Sequence, residues 1–135
     1  MKMRTADESD IKFIYSSWLK SFRRSPFAAQ ISNALYFDGQ HKRITHILAK
    51  PETNVICVCN PEDASQIYGW ICAEIGGPIT VVHYVYVKRT YRGFGIGKGL
   101  IESLGSKNFI FTHDTGFAQK FGGVYSPYLA MEAAA

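Results

Sequence analysis

The chain has 135 residues and a mass of 15.1 kDa, which is the size of one domain. With 47% apolar and 14% aromatic residues it can bury a substantial core, and 19% charged residues is too few for a disordered tail. No apolar run reaches the roughly 18–20 residues of a membrane span, and no signal-peptide hydrophobic region follows the start, so we expect a soluble cytoplasmic protein. The three cysteines and four histidines lack metal-binding spacing, so the sequence predicts neither a disulfide framework nor a metal site.

The charge is distributed unevenly along the chain. Residues 1–50 contain nine Lys and Arg against four Asp and Glu, a net charge of +5, whereas residues 51–135 contain six against seven, a net charge of −1. A basic half attracts anionic partners, but a mildly basic small domain also has an ordinary solvated surface of this kind. The charge pattern leaves both interpretations open.

The first fifty residues predict a strand followed by helices. Lys2–Thr5 is predicted as a short strand, and Ser9–Arg24 as a helix, because acidic N-cap candidates precede apolar residues at helical spacing. The helical period continues over residues 27–35, is predicted to break at Asp38-Gly39, and resumes over residues 44–48.

The composition then changes to β-branched and aromatic runs at Asn54–Cys59, Gln66–Ile75 and Ile79–Lys88. Turns rich in Pro, Gly and acidic residues separate these runs, which predicts an antiparallel meander of three strands. Beyond a glycine-rich turn, the predicted elements are a helix, a strand, a short helix and a last strand, over residues 97–106, 108–112, 117–121 and 124–129.

The glycine-rich turn, within Val85–Gly99, is the most informative segment. It fits neither the dinucleotide pattern G-x-G-x-x-G nor the Walker pattern, and what remains is Arg92-x-x-Gly95-x-Gly97 between a hydrophobic strand and an amphipathic helix. The two glycines allow the backbone N–H groups to approach an oxyanion, and Arg92 and Lys98 add positive charge. The segment predicts a phosphate-binding loop, the alternative being an ordinary glycine-rich turn.

Val87–Gly97 resembles the segment V-x-P-x-[YF]-[RQ]-x-x-G-x-[GA] of the GCN5-related N-acetyltransferase (GNAT) family. The resemblance implies that the loop binds the pyrophosphate of acetyl-CoA, the co-substrate of that family. It also implies an α/β (α+β) fold with a mixed, mostly antiparallel sheet flanked by helices. The implied order is a strand, two helices, three strands, a helix, a strand, a helix and a last strand, so that residues 1–135 form a single GNAT-like acyltransferase domain. The implied cofactor-binding residues are Val85, Tyr86, Val87, Arg92, Gly93, Phe94, Gly95, Ile96, Gly97 and Lys98.

Two positions depart from the family pattern. Arg89 replaces the usual proline after the strand, which a turn tolerates. Phe117–Gly122 resembles the family's F-Y-E-K-x-G segment, but Ala118 stands where the family usually has a tyrosine that acts as general acid. The chain also ends early for this family. We therefore expect an intact cofactor half and a reduced acceptor half.

Transfer of an acetyl group to an amine requires a base for the amine, polarisation of the thioester carbonyl and stabilisation of the leaving thiolate. His83 is the first candidate base, because imidazole titrates near neutral pH, and Glu74 is the second. Tyr125 or Tyr128 could replace the missing acid. Each of these residues also has a purely structural interpretation.

The alternation of side chains along the strand predicts which of them share a face. One predicted face contains Val81, His83, Val85 and Val87, and the other contains Val82, Tyr84 and Tyr86.

The leading hypothesis is an acetyl-CoA-dependent N-acetyltransferase that transfers the group directly within a ternary complex. The alternatives are a non-catalytic acyl-CoA-binding or interaction domain, which Ala118 favours, and a nucleic-acid-associated protein that uses its basic N-terminal half. The first two helices border the acceptor side in this family, and here they contain Lys20, Arg23, Arg24, Lys42 and Arg43. We therefore predict an acceptor amine on an acidic macromolecule, a protein or a nucleic acid.

Overall fold

The computed structural model describes residues 1–106 and 108–127, apart from the side chain of Phe27. Strand β1 (Lys2–Thr5) leads through a 3₁₀ turn into helix α1 (Ile11–Phe22). The guanidinium of Arg4 donates hydrogen bonds of 2.7 and 2.8 Å to the two carboxylate oxygens of Asp10. This ion pair fixes the start of α1 against β1, as a charge-assisted bidentate pair does.

Two further helices follow, α2 (Pro26–Ala29) and α3 (Asn33–Ala49), so three α-helices separate the first two strands where two were expected. The predicted break at Asp38-Gly39 is wrong, because α3 continues through both residues. An isolated glycine costs a helix only about 1 kcal/mol, and the buried residues of α3 keep the helical spacing on both sides of it, as Tyr36, Gln40, Ile44 and Ile47. In the part of the chain that the structure describes, no helix is long and apolar enough to cross a membrane.

The remaining strands are β2 (Thr53–Asn60), β3 (Asp63–Glu74), β4 (Val81–Val87), β5 (Phe109–Phe111) and β6 (Gly123–Tyr125). They form one six-stranded sheet with β1, in the order of the chain. The pairs from β1 to β4 are antiparallel, whereas β5 runs parallel to β4 and to β6. The predicted mixed, mostly antiparallel sheet is confirmed.

The elements after β4 are shorter than the sequence predicts. Helix α4 covers Ile96–Glu102, and Gly105 follows it with φ of 75°, the left-handed conformation common after helix ends. The predicted helix over residues 117–121 is a single 3₁₀ turn, Ala118–Phe121. Of the predicted last strand, residues 128–129 lie outside the described residues.

Each face of the sheet has its own core. On one face α1 and α3 pack through a cluster that includes Ile14, Trp18 and Trp70. On the other face α4 packs through a cluster that includes Leu100 and Phe111. Both faces of the sheet are therefore covered by helices.

A register shift in β4 changes the faces that alternation predicts. Cys72 pairs with Tyr84 but Ala73 pairs with Val82, so the backbone of His83 is not paired with any residue of β3. Tyr84 and Tyr86 pack in the α1 core, while Val82 joins Val85 and Val87 on the α4 face. The placement of Val82 with Tyr84 is therefore wrong, because one extra residue in a β-bulge shifts the alternation.

Candidate active site

The site is a cleft that opens where β4 and β5 separate. The two strands pair only at Val81 with Ile110 and at Val82 with Phe111. The N–H of Thr112 still donates to the carbonyl of Val82 at 3.1 Å. Beyond that point the residues of β4 form backbone pairs with β3 and none with β5. The cleft has a volume of about 780 Å³ and is lined by β4, by the glycine loop, by the end of α1 and by residues 115–121.

The open edge of β4 presents backbone hydrogen-bonding groups to the cleft. The N–H of Lys88 donates to the carbonyl of Tyr68 at 2.8 Å. Because ladder hydrogen bonds alternate along an antiparallel pair, the backbone groups of Val85 and Val87 point away from β3. Accordingly the Nε–H of Arg92 donates to the carbonyl of Val87 at 3.2 Å. Such an edge can bind an extended chain that contains amides.

The glycine loop closes one end of the cleft. Gly93 and Gly95 have φ of 88° and 77°, a region that L side chains rarely adopt. Position 97 requires glycine for a different reason, because a Cβ there would lie 2.5 Å from Cζ of Phe117. Phe117 therefore packs directly over the loop and forms the opposite wall of the cleft.

Nine of the ten predicted cofactor-binding residues line this cleft, and the exception is Phe94, whose side chain is 69% exposed. The opposite wall adds Lys120 and Phe121, which sequence reasoning did not single out. Ala118 is buried in the α4 core and does not line the cleft, so no proton donor replaces the missing tyrosine at this position.

Residues at and just after the end of α1 form a third wall, and of these Arg24 alone was predicted to face an acceptor. Ser21, Arg24 and Ser25 line it, and the hydroxyls of Ser21 and Tyr84 lie 2.7 Å apart in a hydrogen bond. Burial raises the pKa of Tyr84 to about 12, although the Ser21 hydroxyl and the charge of Arg92 act in the opposite direction. The phenol is therefore protonated at neutral pH.

His83 lies outside this lining and is fully buried. Its Nε2 is 2.6 Å from Oε2 of Glu74, and its Nδ1 is 2.9 Å from Oγ1 of Thr112. Burial lowers the pKa of His83, and the hydrogen bond and charge of Glu74 offset only part of this effect. We therefore assign a neutral ring whose Nε2–H donates to Glu74.

Burial also acts on Glu74, raising the pKa of its carboxyl, but hydrogen bonds from His83 and Lys50 outweigh burial and bring this pKa below its usual value. Nζ of Lys50 lies 3.0 Å from Oε1 of Glu74. The network continues on the other side, where Oγ1 of Thr112 is 2.9 Å from Nδ1 of His113. Burial lowers the pKa of His113 to about 3, and the charge of Arg43 contributes in the same direction.

Of the two predicted replacements for the acid, Tyr125 alone is among the described residues. Tyr125 is 47% exposed on β6 and does not line the cleft, and burial raises the pKa of its phenol. Tyr128 lies outside the described residues.

The basic residues predicted to face an acceptor do not form one surface. Arg23 donates to the carbonyl of Ala28 and, at 2.7 Å, to Oδ1 of Asn33, so its role is structural. Lys42 forms an exposed ion pair of 3.0 Å with Asp38 on α3. Of the five predicted cations, Arg24 alone lines the cleft. Arg23 does not face the cleft because its hydrogen bonds stabilise the connection between α1 and α3.

A family model described as the acetyltransferase (GNAT) family matches residues 12–105. A candidate acetyl transferase from Pyrococcus furiosus is 21% identical to this chain, with 88% of each chain covered and a TM-score of 0.62. A GNAT family acetyltransferase from Brucella melitensis, solved in complex with acetyl-CoA, is 20% identical, with 90% of this chain and 80% of that chain covered and a TM-score of 0.59. No curated protein is significantly similar in sequence. The match to the family model covers more than half of the chain, which therefore belongs to the acetyltransferase (GNAT) family.

Proposed function

We propose that the protein is an acetyl-CoA-dependent N-acetyltransferase that moves the acetyl group directly to an amine. The observation that carries this proposal is the cleft itself, in which the open edge of β4 continues into the glycine loop. The backbone groups of Val85 and Val87 would hydrogen-bond the amides of the pantetheine arm. Arg92, Lys98 and the N–H groups of the loop would face the phosphates. The acetyl-CoA bound by the Brucella melitensis protein supports the same co-substrate here.

In the proposed reaction the amine nitrogen attacks the thioester carbonyl, a C–N bond forms and the C–S bond breaks. The amine proton goes to a base, and the leaving thiolate takes up a proton or is stabilised in another way. The protonated phenol of Tyr84, hydrogen-bonded to Ser21 on the wall of the cleft, is our candidate donor in place of the tyrosine missing at Ala118.

His83 remains our candidate base, with Glu74 behind it. Its two ring nitrogens are already hydrogen-bonded and its side chain is closed off from the cleft, so the role requires Thr112 or a water molecule between the ring and the amine. Replacing Tyr84 by Phe and His83 by Gln separately tests the two roles. If the pH–rate profiles of both folded variants equal that of the wild type, neither residue transfers a proton.

The first test of the proposal is binding of acetyl-CoA. A ligand that binds only the folded state stabilises it by about 2.7 kcal/mol at a hundredfold excess over Kd, so acetyl-CoA should raise the Tm. Gly95→Val should abolish the rise, because φ of 77° at this position is strained for any β-branched side chain. A normal rise in folded Gly95→Val would contradict the assignment of the loop.

A second candidate function is a non-catalytic acyl-CoA-binding domain, which the buried Ala118 favours. Release of CoA thiol in the presence of an amine panel separates the two functions, since a binding domain gives the Tm rise and no release. The third hypothesis, a nucleic-acid-associated protein, predicts a mobility shift that weakens steeply with salt. An acceptor on an acidic macromolecule and a cytoplasmic location remain predictions.

A further inference from the structure

The charge of the cleft is of one sign. Among the described residues that line it, the charged side chains are Arg24, Arg92, Lys98 and Lys120, and none is a carboxylate. Asp114 precedes the lining residue Thr115, but its carboxylate accepts the N–H of Gly116 and lies outside the lining. A cationic acceptor would therefore enter this cleft without a counter-charge from these residues.

Arg24 lies on a different wall from the cations of the glycine loop. Its N–H donates to the carbonyl of Ser21 at 3.3 Å, and the hydroxyl of Ser21 is hydrogen-bonded to Tyr84. Tyr84 lies three residues before Val87, which is about 10 Å along a strand that rises about 3.3 Å per residue. These contacts place the backbone of Arg24 near the middle of β4, whereas Arg92 and Lys98 follow the end of that strand in the sequence.

The guanidinium of Arg24 also has no partner within residues 1–106 and 108–127. In the described part of the chain no hydrogen bond or ion pair involves its side chain, although the neighbouring Arg23 is fully engaged with Ala28 and Asn33. The hydroxyls of Ser21 and Tyr84 lie on the same wall. Arg24 is exposed to solvent. A guanidinium that lines a cleft and has no partner among the described residues is suited to a carboxylate or a phosphate, which it can bind through two parallel hydrogen bonds.

We propose that the acceptor is an amine that carries an oxyanion close to its nitrogen, and that Arg24 binds this oxyanion. The inference rests on the proposed acetyl transfer, and it names the class of acceptor. In the proposed ternary complex Arg92 and Lys98 face the phosphates of acetyl-CoA, which leaves Arg24 to pair with the anionic group of the acceptor and so to anchor the amine in the cleft. A carboxylate and a phosphate present the same chemistry to Arg24.

The test uses amines in matched pairs that differ in the anionic group: β-alanine against propylamine, and phosphoethanolamine against ethanolamine. Their Kd values are measured by calorimetry on the protein saturated with CoA, and kcat/KM is measured by CoA release from acetyl-CoA. In at least one pair the anionic amine should bind at least about tenfold more tightly than its counterpart without the anionic group, as expected for hydrogen bonds to a charged group. The pair with the larger ratio distinguishes a carboxylate from a phosphate.

Arg24→Gln should reduce the preference to within about twofold while the Tm rise with acetyl-CoA is kept. Lys20→Gln is the matched control, because Lys20 is an exposed cation in the last turn of α1, shortly before Arg24 and outside the lining, and it should leave the preference unchanged. Equal binding of both members of each pair, tighter binding of spermidine, or loss of acetyl-CoA affinity in Arg24→Gln would each overturn the inference. If wild-type protein does not bind acetyl-CoA, the proposed function fails, and the same titrations on the protein alone still decide whether Arg24 binds oxyanions.

Discussion

Gly97 and Gly39 are both helical glycines, but their surroundings differ. A Cβ at Gly97 would meet the ring of Phe117 at 2.5 Å, whereas a Cβ at Gly39 would meet nothing within 4 Å. We expect Gly97→Ala to lower the free energy of unfolding by about 1–3 kcal/mol, as overpacking does, and to reduce the Tm rise with acetyl-CoA by displacing Phe117. Gly39→Ala should raise the free energy of unfolding by up to about 1 kcal/mol and keep the Tm rise.

Urea unfolding with and without acetyl-CoA measures both effects of the glycine variants. If Gly97→Ala binds acetyl-CoA normally, the contact with Phe117 does not shape the cleft.

The buried histidines make stability depend on pH. The pKa of His113 is lowered to about 3 from its ordinary 6.5, and the pKa of His83 is also lowered, in each case mainly by burial. Below about pH 6.5 the unfolded chain therefore binds protons that the folded chain does not, and the free energy of unfolding falls as the pH decreases. Glu74 adds a loss in the same direction only below about pH 4.5, its ordinary pKa.

His113→Gln should flatten this dependence between pH 6.5 and 4.5, by up to about 1.4 kcal/mol per pH unit. Urea midpoints across this range provide the measurement. His46→Gln, at an exposed position on α3, is the control and should keep the wild-type slope. A slope that is unchanged in His113→Gln would mean that the folded state accepts this proton.

At the scale of the element, α1 is held to the sheet by a polar contact inside its core. The Nε1–H of Trp70 donates to Oγ of Ser17 at 2.9 Å, and both residues are buried. Ser17→Ala should lower the free energy of unfolding by about 1–3 kcal/mol, because it leaves a buried indole N–H without an acceptor. Ser16→Ala should change it by less than about 0.5 kcal/mol, and a similar effect of both variants in urea unfolding would contradict this role of Ser17.

The bulge in β4 shows how an element can depart from its sequence pattern. Strict alternation describes Tyr84 to Val87 correctly and fails at Val82, because the backbone of His83 is not paired with β3. The position of a bulge depends on the register of two strands and on the side chains above and below them. In this chain the ring of His83 bonds both Glu74 of β3 and Thr112 after β5, and neither contact is visible in the pattern of β4 alone.

At the scale of the whole molecule, the cations of the cleft should make co-substrate binding sensitive to salt. The formal net charge is +4, and the described charged residues lining the cleft are all Arg or Lys. Raising KCl from about 50 to about 500 mM should raise the Kd of acetyl-CoA on the order of tenfold, because salt screens partly exposed ion pairs between the phosphates and these cations. Pantetheine, which lacks phosphates, is the control and should bind independently of salt. A salt-independent Kd for acetyl-CoA would argue against phosphate contacts with these cations.

Much of this architecture could be predicted from local patterns. The order of strands and helices follows from side-chain periodicity, and the loop from Arg92 to Gly97 follows from glycines that only a close backbone approach or a positive φ explains. Both signals are contained in a few consecutive residues, because the backbone conformations that they require are local. The predicted break at Asp38-Gly39 was wrong because it rested on a weak local preference, which the packing of the surrounding helix outweighed.

The chemical surroundings of the cleft depended on contacts between distant parts of the chain. Ser21 meets Tyr84 across 63 residues, and His83 meets Thr112 across 29, so neither pair has a sequence signature. Tertiary packing also decided that Arg23 is structural while Arg24 faces the cleft, although the two are adjacent in sequence. The sequence by itself determined the kind of loop and the class of fold. Only the folded chain decided which hydroxyls, histidines and cations surround the reacting groups, because burial and hydrogen bonding depend on which elements pack together.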